Sequence, residues 1–355
     1  MKPVFAFQWH ITDECDQRCR HCYIFAEGAC VKTKRMSWEQ IQKVLADAED
    51  MCEKLGRTPY FYLTGGDPIL HPDFWRLAEL LHSHGHMWAV MGNPFHLTPA
   101  VCVRMKELGC RKYQLSIDGL QATHDMFRKP GSFAATLEAI PMIREAGIWC
   151  AVMSTVSSVI AAEIPQLIDL MAQMEVDVYA FGRYCPTSGQ KAEEFHISAA
   201  AYREFLLACQ QRIEAHETAG CHTTFQRKDH LWTLLEYEQG KFQLPRGARR
   251  GMVYGGCHCA ISHLTITPTG DVFACRRMDS CVGDAFEQPL EQIFLGAKME
   301  ERRQFDRFSK CARCELAGVC RGCPAVAAGY SGGDMYAPDP QCWKEIADDA
   351  PAYFE

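Results

Sequence analysis

The sequence predicts an α/β protein: a parallel barrel or partial barrel in the N-terminal half, then a smaller cysteine-rich region at the C-terminus. Three observations predict it. Apolar runs alternate with amphipathic stretches six times over roughly the first 185 residues. The runs are continuously apolar, as strands are when helices cover their sheet. Past residue 250 the alternation stops and cysteines return in density.

The elements follow in order. VFAFQWHIT reads as the first strand. MSWEQIQKVLADAEDMCEKLG reads as the helix after it, with Ser37 and Gln40 placed for a capping box and Gly56 as its stop. YFYLTGG and DFWRLAELLHSHG form the second pair, MWAVMGN and TPAVCVRMKELG the third, KYQLSIDG and FAATLEAIPMIREAG the fourth. WCAVMSTVSS, IPQLIDLMAQM and VDVYAFGRY complete the series. Residues 198–219 read as one long helix, and LPRGARRGMVYGG as a linker. The division expected is residues 1–195 for the barrel, 196–250 for a helical bridge and linker, and 251–355 for the cysteine-rich domain. Parallel barrels carry their chemistry where strands run into loops at their C-terminal ends. CDQRCRHCY, residues 15–23, follows the first strand directly.

Composition removes several function classes. The 355 residues carry a net charge of -7 with no basic cluster, so no nucleic-acid partner is expected. No apolar run is long enough to span a membrane, and MKPVFAFQWHIT lacks the length and the cleavage site of a signal peptide. A cytoplasmic location is expected. Twenty cysteines in a reducing compartment argue for metal or redox chemistry rather than a disulfide framework.

Cys15, Cys19 and Cys22 offer three closely spaced thiols where a closed tetrahedral site needs four. Spacing alone leaves two readings open: zinc completed by a distant residue, or a [4Fe-4S] cluster with one iron free. In its place after the first strand, C-x-x-x-C-x-x-C resembles the hallmark loop of the radical S-adenosylmethionine superfamily. That resemblance implies a partial (β/α)6 TIM-like barrel and a cluster whose fourth ligand is S-adenosylmethionine, cleaved to a 5'-deoxyadenosyl radical. His21 stands where the family usually has an aromatic residue near the adenine. LTGGDP resembles the family's Gly-Gly-Glu-Pro segment, so the resemblance places Gly65, Gly66 and Asp67 at the methionine ammonium, with Asp67 shorter than the usual glutamate. Gly-Gly-Asp-Pro is also ordinary turn chemistry. The resemblance further implies Ser116 near the ribose or carboxylate and Arg128 on the methionine carboxylate.

The C-terminal cysteines resemble a SPASM domain, which implies two auxiliary [4Fe-4S] clusters. On that resemblance Cys257, Cys259, Cys275 and Cys323 hold the proximal cluster, with Cys281 an alternative ligand, and Cys311, Cys314, Cys320 and Cys342 the distal one. C-x-x-C followed by C-x-x-C is also zinc spacing. Cys52, Cys102, Cys110, Cys150 and Cys209 read as core. Cys30 follows the cluster loop and Cys185 the sixth strand, at the face where chemistry is expected; a thiol there could take part in hydrogen-atom or sulfur chemistry, but packing is the favoured reading. The function implied is a peptide maturase that abstracts hydrogen from a ribosomally made, cysteine-rich peptide and installs a thioether, carbon-carbon or related link. Its partners would be the precursor peptide or protein, an external reductant of the flavodoxin or ferredoxin type, and a separate leader-binding protein. The alternatives are a sulfatase-maturase-like enzyme forming formylglycine and a small-molecule cofactor-biosynthesis enzyme. Cys275 is followed by Arg276 and Arg277 rather than by a carboxylate, which counts against the former. No catalytic base is assigned.

Overall fold

The computed structural model describes residues 2–25, 33–187, 192–347 and 349–354. Cys30 lies outside them. Strands β1 (Val4–Thr12), β2 (Thr58–Gly65), β3 (Met87–Met91), β4 (Cys110–Ser116), β5 (Trp149–Val156) and β6 (Val178–Arg183) run parallel, side by side in chain order. Between them lie α1 (Trp38–Lys54), α2 (Phe74–Ser83), α3 (Pro99–Glu107), α4 (Gln121–Phe127), α5 (Ser132–Glu145) and α6 (Ile164–Gln173), and α7 (Ala199–Thr218) follows β6. The six expected units are all present.

Local chemistry accounts for the elements. The Ser37 hydroxyl accepts from the Gln40 amide while the Gln40 side chain accepts from the Ser37 amide, closing the capping box that starts α1. Ile41, Val44, Leu45, Ala48, Met51 and Cys52 recur on one face of α1 and are buried there. Phe5, Phe7, Trp9 and Ile11 alternate along β1 and are all buried. The Phe7 ring stacks on Phe61 of β2 at 5.4 Å. Cys102, Cys110, Cys150 and Cys209 are fully buried beside Cys52 in this core.

The sheet continues past six strands. β7 (Thr224–Gln226) adds in parallel beside β6, and after α8 (Leu231–Glu238) the strand β8 (His263–Ile266) pairs in parallel with β1 on the other flank. β9 (Asp271–Phe273) and β10 (Cys281–Asp284) extend that flank antiparallel. The ten-stranded order is β10-β9-β8-β1-β2-β3-β4-β5-β6-β7, so β10 and β7 are its two edges and the barrel is open on one side. Little periodic structure was expected between the C-terminal cysteines; strands of three or four residues carry too few alternations to register as a period. Short helices α9 (Leu290–Leu295), α10 (Ala297–Glu301) and α11 (Pro324–Tyr330) complete this region. Among the described residues no helix is long and apolar enough to cross a membrane.

One buried cation joins the barrel to the C-terminal region. Arg183, the last residue of β6, donates through Nε to Asp229 Oδ2 at 2.8 Å. Nη1 and Nη2 reach the two Asp339 oxygens at 2.6 and 2.7 Å, and Nη1 also reaches Gln341 Oε1 at 2.8 Å. Asp339 in turn accepts from the Cys323 amide at 2.8 Å.

Candidate active site and cluster-binding thiols

The three-cysteine loop is pinned at both ends. At its start, the Gly66 amide donates to the Thr12 carbonyl at 2.8 Å and the Asp67 amide to the Glu14 carbonyl at 2.7 Å. A Cβ on Gly65, whose φ is +134°, would fall on the Thr12 carbonyl, and one on Gly66 on the Glu14 carbonyl. The two glycines therefore let the end of β2 touch the backbone of the first loop. At its far end, the Arg20 amide donates to the Phe127 carbonyl at 2.8 Å.

N–H donors already face the thiols. The Gln17 amide lies 3.4 Å and Asn93 Nδ2 3.8 Å from Cys15 Sγ, and Arg128 Nη1 lies 3.8 Å from Cys19 Sγ. Burial pushes Cys15 up to about 12 and raises Cys19, though Arg128 opposes the latter. Thiols held this way release their protons when a metal takes them, and the donors then stabilise the thiolates.

Beneath the loop sits Asp118, a residue that sequence reasoning passed over although it lies two past Ser116. It is fully buried. Arg128 Nε and Nη2 lie 2.7 and 2.6 Å from its Oδ2, His21 Nε2 lies 3.2 Å from the same oxygen, and the Thr155 amide donates to Oδ1 at 2.7 Å. Burial alone would raise its pKa, but Arg128 and His21 outweigh burial and hold the carboxyl well below the usual range. Arg128, expected on a methionine carboxylate, thus spends two of its nitrogens on Asp118 and turns the third toward Cys19. Ser116 ends β4, partly exposed. A second unforeseen chain runs from the Asp118 amide through His124 to Ser132 and Gln17, with steps of 3.0, 2.7 and 3.2 Å, bracing the loop from behind.

Three buried polar groups nearby lack partners among the described residues: both oxygens of Asp67, His21 Nδ1 and Ser157 Oγ. Burial pushes Asp67 up to about 8; Asp16 adds to the rise, and the Ile69 and Asn93 amides oppose it without closing a hydrogen bond of good geometry. His21 and Ser157 line one small recess with Phe127, Tyr184 and Phe195. In that recess the rings of His21, Phe127, Phe195 and Tyr184 pack in sequence at 5.8, 5.7 and 5.1 Å.

The C-terminal thiols fall into two groups. The Cys259 amide donates to Cys257 Sγ at 3.4 Å, and the charges of Cys257 and Cys323 both act on Cys275. Arg277 Nη2 lies 3.6 Å from Cys323 Sγ, and, although burial opposes it, the neighbouring Cys257 raises the pKa of His230. Cys311, Cys314, Cys320 and Cys342 form the second group, where burial pushes Cys320 up to about 12. Cys281, the alternative ligand, is exposed on β10, and its thiol donates to the Gly283 carbonyl at 3.7 Å.

Comparison with known proteins gives this arrangement a family. The family model of the radical SAM superfamily matches residues 9–171, and that of SPASM, an iron–sulfur cluster-binding domain, matches residues 257–324. The chain is a radical S-adenosylmethionine enzyme with a SPASM domain. S-adenosylmethionine and iron–sulfur clusters are its cofactors. This radical SAM chain is 26% identical over 344 residues to the AdoMet-dependent heme synthase of Methanosarcina barkeri, covering 94% of itself and 95% of that protein. It is also 26% identical over 361 residues to the mycofactocin maturase of Mycobacterium ulcerans, covering 94% and 86%. In fold it resembles Streptococcus suis SuiB bound to S-adenosylmethionine, with a TM-score of 0.73 and 17% identity over 97% of this chain and 78% of that one.

The residues fit these groups. Cys15 and Cys19 already receive N–H donors, and three thiols leave one iron of a four-iron cluster for a small molecule. The buried carboxyl of Asp67 and the imidazole of His21 present unpartnered polar atoms beside them, the complement of an ammonium and a heterocycle.

Proposed function

We propose that this radical SAM enzyme modifies a peptide, abstracting hydrogen from a ribosomally made, cysteine-rich chain to install a thioether, carbon-carbon or related link. The observation that supports this reading most is the open sheet: β10 and β7 are free edges, so an extended chain can approach the reactive face from the side. The likeness to a mycofactocin maturase over most of both chains supports it further.

In this reading Cys15, Cys19 and Cys22 hold the radical cluster, which together with S-adenosylmethionine supplies the 5'-deoxyadenosyl radical. Asp67 accepts hydrogen bonds from the methionine ammonium. His21 offers Nδ1 to the adenine while Asp118 fixes its other nitrogen. Asp118 also locks Arg128 beside Cys19, so the guanidinium steadies the cluster as well as any carboxylate that approaches it. The Phe127, Phe195 and Tyr184 rings exclude water from the recess, which protects a reactive species from quenching. Cys257, Cys259, Cys275 and Cys323 hold a proximal auxiliary cluster and Cys311, Cys314, Cys320 and Cys342 a distal one. A flavodoxin- or ferredoxin-type reductant supplies electrons, and a separate protein binds the leader.

A second reading has its own support. Likeness to a heme synthase across 94% of this chain favours a small-molecule substrate of the iron-tetrapyrrole class. The formylglycine alternative has less, because Arg276 lies over the Tyr23 ring and Arg277 reaches Cys323, placing cations where a proton acceptor is needed.

One experiment separates them. The anaerobically reconstituted enzyme is given dithionite, S-adenosylmethionine and either a synthetic cysteine-rich peptide or an iron coproporphyrin, and 5'-deoxyadenosine and substrate mass are followed. Peptide that loses hydrogen in step with 5'-deoxyadenosine supports the first reading. Consumption of the tetrapyrrole, with the peptide unchanged, replaces it with the second.

A further inference from the structure

Five sulfurs, not four, surround the proximal auxiliary site. The fifth belongs to Cys185, two residues past the end of β6 and 8% exposed. Its thiol donates to the Arg183 carbonyl at 3.7 Å and lies beside Cys323. Arg277 clasps the same spot, donating through Nη1 to the Arg183 carbonyl at 3.2 Å and through Nη2 to Cys323 Sγ at 3.6 Å. The next residue, Pro186, packs so closely on α11 that a Cβ on Gly329 would stand 2.6 Å from the Pro186 carbonyl oxygen. α11 begins directly after Cys323, so both sides of the sulfur pair are held.

This contact is made by the fold. Cys257 and Cys259 touch because one residue separates them, whereas Cys185 and Cys323 are far apart in the sequence. A cysteine placed only for packing, such as Cys102 or Cys209, lies among aliphatic and aromatic side chains. Cys185 instead faces a guanidinium and the sulfurs of Cys323 and Cys275.

We propose that Cys185 is a reserve ligand of the proximal auxiliary cluster, able to take over the iron held by Cys323. The proposal rests on the reading of these thiols as iron–sulfur ligands. The exchange is balanced without an oxidant: the iron–sulfur bond to Cys323 breaks, one to Cys185 forms, and the Cys185 thiol proton passes to Cys323. No electron moves. Arg277 stays beside both sulfurs and stabilises whichever carries the negative charge. The swap moves one cluster corner from the start of α11 to the end of β6, toward the face where substrate approaches.

Iron counting on anaerobically reconstituted wild type, Cys185→Ala, Cys323→Ala and the double variant tests it, with electron paramagnetic resonance of the reduced auxiliary clusters. Wild type and both single variants are expected to hold about twelve irons per chain and the double variant about eight, with an altered auxiliary signal in Cys323→Ala. Cys314→Ala, in the distal group, is expected at about eight and shows that such a loss is detectable. A Cys323→Ala variant already at about eight irons overturns the proposal, as does a double variant that keeps twelve. Should an alanine variant fall below eight irons through loss of fold, the serine pair Cys323→Ser and Cys185→Ser/Cys323→Ser decides by the same count. Wild type that binds only about four irons overturns the auxiliary-cluster reading itself, an outcome distinct from failure of the exchange alone.

Discussion

Asp118 governs the reactive loop through the side chains it holds. It fixes one nitrogen of His21 and two of Arg128, and through Arg128 it reaches Cys19. Asp118→Asn keeps the shape and the Thr155 contact but leaves the Arg128 guanidinium without its counter-charge. The expected cost is about 3–5 kcal/mol of stability, read as a lower unfolding midpoint under anaerobic conditions. Asp67 makes the opposite case. Its carboxyl is pushed up to about 8 from an unfolded value near 4. A raised acid favours folding fully only at low pH and works against it as pH rises from about 4 through 8, because the unfolded chain releases a proton the folded one keeps. Asp67→Asn is therefore expected to gain stability over wild type more at pH 7.5 than at pH 5. The same variant should bind S-adenosylmethionine about 10-fold or more weakly with its irons intact, since a charge-assisted hydrogen bond to the ammonium is lost. Equal stability gains at both pH values would show that the Asp67 carboxyl does not work against folding.

At the scale of elements, the meeting of β1 and β2 sets the loop's position. Gly66→Ala would drive a methyl into the Glu14 carbonyl, with no flexible side chain to yield. Loss of about four irons is expected, with the C-terminal clusters retained, because only the first loop is displaced. This reason for the glycines was not legible in the sequence. LTGGDP could be matched to a segment that cradles a ligand, yet its closest partner proves to be the chain's own loop. The six strand-helix units were legible because each runs long enough to show its period, and α1 announced its start through Ser37 and Gln40. β7 to β10 were not, being three or four residues long and stabilised by neighbours distant in sequence. His124, Ser132 and Gln17 escaped for the same reason: a chain of hydrogen bonds between separate loops leaves no spacing to read. Asp118 left a faint trace, a carboxylate just past a strand end with an arginine ten residues on.

At the scale of the molecule, Arg183 binds the two halves together. Arg183→Met would leave Asp229 and Asp339 as buried carboxylates without their cation, at an expected cost of about 3–5 kcal/mol. Because Asp339 also holds the Cys323 amide, the proximal irons should leave first, before the radical cluster, as the variant is warmed and its iron followed. Simultaneous release of all irons would mean that the network does not address that site in particular. The placement of β1 has a consequence for how the enzyme is made. β1 is flanked on one side by β2 and on the other by β8, so one edge of it stays bare until residue 266 has been synthesised. At ordinary elongation rates that is roughly 10–50 s during which the strand bearing the radical loop has an unpaired edge. Iron delivery to this chain therefore belongs after translation, and a cell that supplies clusters too slowly is expected to accumulate full-length apoprotein rather than nascent fragments.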